Sequence, residues 1–185
     1  MHVLVTAASK YGATRQIAHA IRDVLDEHRI AVTLVAPEEI GEIGRYDAVV
    51  LGSGIYAGHW LEPAKDFVAR FRGDLAARPV WLFSSGPVGN PTRKLVQQMT
   101  IDPIELAGIC EATGAREHRL FAGQLDRQNV TIPQRAALLA FRGLEGDFRD
   151  WSEIRAWASE IALALESGGK GSDTPASRAL SSQPS

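Results

Sequence analysis

Short apolar runs alternate along this chain with stretches whose apolar residues recur at helical spacing. Val3, Leu4 and Val5 form the first run, and a polar segment from Thr6 to Thr14 follows it. Ile17, Ile21, Val24 and Leu25 then share one face, which predicts a helix ending in the polar residues Asp26 to Arg29. Residues 30–35 predict a second strand, and residues 37–45 a loop containing Gly41 and Gly44. Residues 48–53 are a continuous apolar run, the pattern of a strand covered on both faces. Leu61, Ala64, Phe67, Val68 and Phe71 predict a helix closed by Gly73. Residues 79–84 predict a fourth strand, 92–114 a helical stretch broken at Pro103, and 116–122 a fifth strand. Residues 133–144 carry the pattern of an extra amphipathic helix. The last helix is predicted over 151–165, with Ile154, Trp157, Ala158, Ile161 and Leu165 as its buried stripe and Asp147 or Asp150 at its cap.

Strands alternating with helices imply an α/β fold. The expected architecture is a three-layer α/β/α sandwich around a five-stranded parallel sheet of order 2-1-3-4-5. Residues 1–166 would form the domain. From Ser167 onward Gly, Ser, Pro and Lys replace the apolar residues, so 167–185 read as a disordered tail.

Composition narrows the function classes. The 185 residues are 45% hydrophobic and 23% charged, enough for one domain with a real core. A net charge of -2 gives no basic excess for nucleic acid. The single cysteine, Cys110, excludes an internal disulfide and any multi-cysteine metal or iron–sulfur site, and reads as a small buried hydrophobe. No Cys/His/carboxylate spacing suggests a metal. Met1 and His2 lead straight into a strand, with no signal peptide, and no apolar run approaches the roughly 20 residues of a membrane span. A cytoplasmic location is the expectation.

The candidate chemistry begins after the first strand. Ser9, Lys10, Tyr11, Gly12, Ala13 and Thr14 join a strand to a helix N-terminus, where backbone N–H groups and the helix dipole favour a phosphate. Gly12 would let the backbone come close, and the Ser9 and Thr14 hydroxyls would add donors. An ordinary capped turn fits the same residues. No G-x-x-x-x-G-K-[ST] is present, and this first turn has no G-x-G-x-x-G. Ser9 through Thr14, followed by Ala18 and Ile21, resembles the flavodoxin FMN-phosphate loop, S/T-x-x-G-x-T-x-x-x-A-x-x-I. The family usually carries an apolar or aromatic residue just before, where this chain has Thr6 and Ala7.

In such a sheet the ligand lies beyond the carboxyl ends of the strands. The segments expected to meet there are 7–14, 54–60 and 85–92. In the second, Gly52, Gly54 and Ala57 formally match G-x-G-x-x-A, but no acidic residue ends a following strand to hold a ribose. A flavin loop fits better. Ser53, Gly54, Ile55, Tyr56, Ala57 and Gly58 would face the isoalloxazine edge, with Tyr56 or Trp60 as a stacking surface or as plain packing. His59 reads as a solvated loop histidine or as an acid–base group. In the third, Ser85, Gly86, Pro87 and Gly89 would offer hydroxyl and N–H groups to the pyrimidine end. That loop has no aromatic residue, so one flavin face would stay open to a substrate or quinone.

Residues 52–59 (GSGIYAGH), 121–123 (FAG) and the pair Asp150-Trp151 sharpen the likeness. Together they resemble flavodoxin-domain proteins related to menaquinone-dependent protoporphyrinogen oxidase, over about residues 1–165. The resemblance implies an FMN-dependent oxidoreductase that passes electrons from a reduced substrate through FMN to a quinone or other acceptor. It requires no side-chain nucleophile and no metal. A redox partner protein or quinone, and a small-molecule reductant, would be its partners. The helix expected over 133–144 would cap the sheet or touch a partner or membrane surface. Two other readings stay open: a flavodoxin-like electron carrier, against which the small net charge counts, and a non-enzymatic module of this fold holding another ligand.

Overall fold

The computed structural model describes residues 1–86, 102–125 and 146–169. β1 (His2–Ala8) is flanked by the edge strand β2 (Ala31–Leu34) and by the central strand β3 (Ala48–Tyr56). Beyond β3, skipping the short β4 (His59–Trp60), come β5 (Val80–Ser85) and β6 (Glu117–Phe121). The order is β2-β1-β3-β5-β6, every pairing on this path parallel, as the sequence predicts. The short β4 folds back antiparallel on the end of β3. A separate two-stranded antiparallel ribbon joins β7 (Gln124–Leu125) to β8 (Gly146–Asp147).

Alternation along the strands builds two cores. Val3, Val5, Val50 and Phe83 face α1 (Ala13–Glu27) and α5 (Trp151–Gly169), where Ile17, Ile21, Leu25, Trp157 and Ile161 are buried. Leu4, Val49, Leu51 and Leu82 face the other side, packed with Phe67 of α2 (Glu62–Arg70), Leu75 of α3 (Arg72–Ala76) and Ile109 of α4 (Leu106–Thr113). A sheet covered on both faces explains the unbroken apolar run in β3.

Several local expectations change. Gly73 does not close a helix; it lies inside α3, and a Cβ there would meet open space. The break falls at Phe71 (φ -112, ψ 21), where the chain turns so that Leu75 becomes fully buried. Residues 37–45 include a single 3-10 turn, Pro37–Glu39. Asp150, not Asp147, caps α5: its Oδ1 accepts the N–H groups of Ser152 and Glu153 at 2.9 and 3.1 Å. The last helix continues through Gly169, beyond the boundary expected at 166. The helix expected over 133–144, the part of the 92–114 stretch before residue 102, and the tail from 170 onward lie outside the described residues. Among the described residues no helix is long and apolar enough to cross a membrane.

Candidate functional site

The turn between β1 and α1 is shaped by Ser9 and Gly12. The Gly12 N–H donates to Ser9 Oγ at 3.0 Å, and Gly12 itself takes φ +90, a conformation that costs other residues strain. Its carbonyl accepts the Gln16 N–H at 3.0 Å and so opens the helix. No side chain caps α1, and its first turn holds no acid. The first-turn N–H groups, which an α-helix cannot pair internally, therefore meet no built-in anion. Thr14 is 4% exposed and lies against β3. A Cβ on Gly54 would stand 3.1 Å from Thr14 Oγ1 and 3.6 Å from Leu61 Cδ1, so only glycine leaves this floor open. Ser9, Gly12, Thr14 and Gly54 thus gather at the uncapped N-terminus of α1, a place whose chemistry suits an anion.

The second segment is not an open loop. β3 runs on to Tyr56, turns at Ala57 and Gly58, and returns as β4, pairing Tyr56 with His59 and Ile55 with Trp60. Both turn residues have positive φ, +51 and +82, the signature of a type I′ hairpin. The dinucleotide match of Gly52, Gly54 and Ala57 fails on this geometry, because these residues span a strand and a hairpin rather than a strand-to-helix turn. Ser53 is fully buried; its Oγ donates to the Gly54 carbonyl and accepts the Leu61 N–H, each at 2.9 Å.

Trp60 is not a stacking platform. It is 2% exposed, and its Nε1 donates to Ser84 Oγ at 2.8 Å, because β4 turns the indole inward onto the second core. Tyr56 stays half-buried at the surface, with Lys10 Nζ 4.0 Å from its ring centroid. That contact links the phosphate turn to the hairpin, and hydrogen bonding to Tyr56 raises the Lys10 pKa. On the other side the hairpin is tied to the start of α4. The Ile104 N–H donates to the Gly58 carbonyl at 3.0 Å, and His59 Nδ1 lies 2.6 Å from Glu105 Oε1. Burial pushes the Glu105 carboxyl up. Hydrogen bonds from His59, from its own backbone and from the Trp60 N–H outweigh that and hold it below its ordinary value.

At the third strand end Ser85 is buried, and Gly86 takes φ +118 while donating its N–H to the Phe121 carbonyl at 3.1 Å. A Cβ on Gly123 would come within 3.3 Å of Gly86 Cα, so the two backbones meet closely. Pro87 and Gly89 lie outside the described residues. Beneath this edge Ser84 Oγ also bonds His118 Nε2 at 2.9 Å. Burial lowers the His118 pKa against the pull of Asp102 and Glu117, favouring the neutral ring.

The structure therefore brings Lys10, Gly12, Thr14, Gly54, Tyr56 and Gly86 to one edge of the sheet. Ser53 and Trp60 serve as its internal supports. Sequence reasoning missed Glu105 and Arg149: Glu105 meets His59, and Arg149, besides its neighbour Asp147, meets the remote Ala13, Gln16 and Gln124. No local spacing could have signalled those remote contacts. Among the described residues no cluster of His, Cys, Asp and Glu could hold a metal ion.

Comparison with known proteins agrees with this fold. Residues 4–150 match the family model described as "Flavodoxin domain". A flavodoxin from the domain Archaea superposes with a TM-score of 0.61 at 15% identity, over 90% of this chain and 99% of that one. Flavodoxin 2 from Bacillus cereus gives 0.55 at 22% identity, over 90% and 99%. Rubredoxin oxygen:oxidoreductase from Desulfovibrio gigas gives 0.60 at 14% identity, over 90% of this chain but 36% of that one. At these identities the likeness is one of fold. No curated protein sequence matches.

Proposed function

The chain belongs to the flavodoxin domain family, whose cofactor is FMN, and we propose that it is an electron-transfer domain that seats the FMN phosphate on the N-terminus of α1. The observation that carries this reading is the uncapped, acid-free first turn of α1 facing Gly54, with Thr14 beside it. When bound, FMN supplies the redox chemistry. The chain's own residues bind and orient it. First-turn N–H groups and the Thr14 hydroxyl would hold the phosphate, and the Ser9 hydroxyl, already accepting from Gly12, keeps the turn closed around it. The β3–β4 hairpin and the Gly86 backbone would flank the ring system, with Tyr56 the side chain placed to cover it. A net charge of -2 supplies little long-range steering, so the partner would be met through local contacts at the hairpin edge.

Titration of the apoprotein with FMN, followed by flavin fluorescence, tests this reading. Quenching is expected, with affinity about tenfold weaker in Thr14→Val, the effect of one lost hydrogen bond. Gly12→Val, strained at φ +90, should weaken it further. Unquenched FMN would overturn the reading and leave a module that holds another ligand.

The narrower reading is an oxidoreductase that takes electrons from a small reduced substrate and delivers them to a quinone. The likeness of residues 52–59, 121–123 and 150–151 to the protoporphyrinogen-oxidase group favours it. The family match and the structural neighbours do not support that finer relationship. Turnover of protoporphyrinogen with a menaquinone analogue would decide for it; FMN binding without turnover would leave the electron-carrier reading.

A further inference from the structure

Arg149 is the only ionised side chain in the buried class among the described residues. Its guanidinium joins three stretches of chain remote in sequence. Nε and Nη2 donate to the two carboxylate oxygens of Asp147 in β8 at 2.7 and 2.6 Å, and Nη2 also donates to Gln124 Oε1 in β7 at 3.0 Å. Nη1 reaches into the first turn of α1, donating to Gln16 Oε1 at 2.7 Å and to the Ala13 carbonyl at 3.1 Å. The Trp151 ring covers the group at 4.4 Å from its centroid.

A buried guanidinium is a poor way to add stability, because desolvation offsets most of what its ion pair contributes. What it does well is fix geometry, with a planar fork whose donors demand particular acceptors. Here the acceptors on the helix side belong to the turn whose N–H groups would meet the anion. We propose that Arg149 is a positioning residue for the cofactor phosphate. It holds the first turn of α1 through the Ala13 carbonyl and Gln16, so that the donor groups are already oriented before the anion arrives. Its charge is matched by the Asp147 carboxylate, so the effect on the anion runs through geometry rather than through added field. This rests on the reading of the α1 N-terminus as the phosphate seat.

The test compares FMN with riboflavin, which lacks the phosphate, together with the rise in apoprotein unfolding temperature caused by inorganic phosphate. In Arg149→Met the preference for FMN over riboflavin should fall about tenfold or more, and the phosphate-induced rise should vanish. Arg149→Lys should restore part of both. Gln16 is exposed, so Gln16→Met keeps the fold and removes one helix contact; its preference for FMN should fall about threefold. A purely structural role predicts lower unfolding temperatures with the FMN-to-riboflavin ratio and the phosphate effect unchanged, and that result would overturn the proposal. Wild-type protein that binds neither FMN nor phosphate would defeat the phosphate seat itself. Wild-type protein that prefers FMN, with Gln16→Met and Arg149→Met preferring it equally, would defeat only the role of Arg149.

Discussion

Phe83 occupies the space that a side chain at position 52 would need. Gly52 and Phe83 are direct partners across the parallel β3–β5 pair, and a Cβ on Gly52 would fall inside the Cζ, Cε1 and Cε2 atoms of the ring. The ring cannot give way easily. It is fully buried, with the Phe121 and Trp157 rings each 6.2 Å away between centroids. Gly52→Ala should therefore destabilise the protein by about 3 kcal/mol, the upper end of overpacking costs. Urea unfolding of the apoprotein would measure it. A loss under about 1 kcal/mol would mean that the aromatic cluster relaxes freely.

Ala57 sits at φ +51 in the hairpin turn, where glycine is the natural occupant. Ala57→Gly should raise stability slightly, by up to about 1 kcal/mol, because the relieved strain exceeds the added backbone entropy. Ala57→Val should lower it by about 1–2 kcal/mol, since a branched side chain tolerates that region worst. Thermal unfolding of both variants checks the ordering.

Trp60 and Tyr56 come from one hairpin but face different surroundings. Trp60→Phe should cost about 2–3 kcal/mol, through the lost hydrogen bond to Ser84 and the cavity left by the smaller ring, with the spectrum of bound FMN unchanged. Tyr56→Leu should leave stability nearly intact and alter the absorbance and quenching of bound FMN. If the two variants exchanged these effects, the indole would have to leave the core when the cofactor binds.

The His118–Ser84 contact carries a pH signature. Burial holds the folded-state pKa of His118 below its ordinary value, while the unfolded chain protonates near about pH 6.5. A depressed pKa gives a contribution that is complete above the unfolded value and lost as pH falls toward the folded one. Stability should thus start to decline below about pH 6.5, before the carboxylates titrate. His118→Gln should flatten that first decline in unfolding midpoints measured from about pH 7 to 5. A variant as steep as wild type would assign the decline to other groups.

The parallel sheet and its order were legible because burial on both faces leaves an unbroken apolar run in β3, and periodic stripes mark α1 and α5. The turn between β1 and α1 was legible for a similar reason: Ser9, Gly12 and Thr14 lie within one short stretch, and the shape of the turn needs no distant partner. The hairpin was harder to read. Gly52, Ser53, Gly54, Tyr56 and Trp60 look alike in sequence as a glycine-rich aromatic loop. Their separation into strand floor, internal tether, half-buried ring and core indole depends on which way each points.

By itself the sequence determined the layers, the strand order and the strand–turn–helix at Ser9 to Thr14, because each follows from local periodicity and local backbone chemistry. Only the tertiary structure decided that Trp60 turns inward to Ser84, that Glu105 holds His59, and that Arg149 reaches back to Ala13 and Gln16. These contacts span 24, 46, 136 and 133 residues. A polar side chain is satisfied by whatever the fold brings within hydrogen-bonding reach, and that is set by the packing of the whole sheet rather than by its neighbours in the chain.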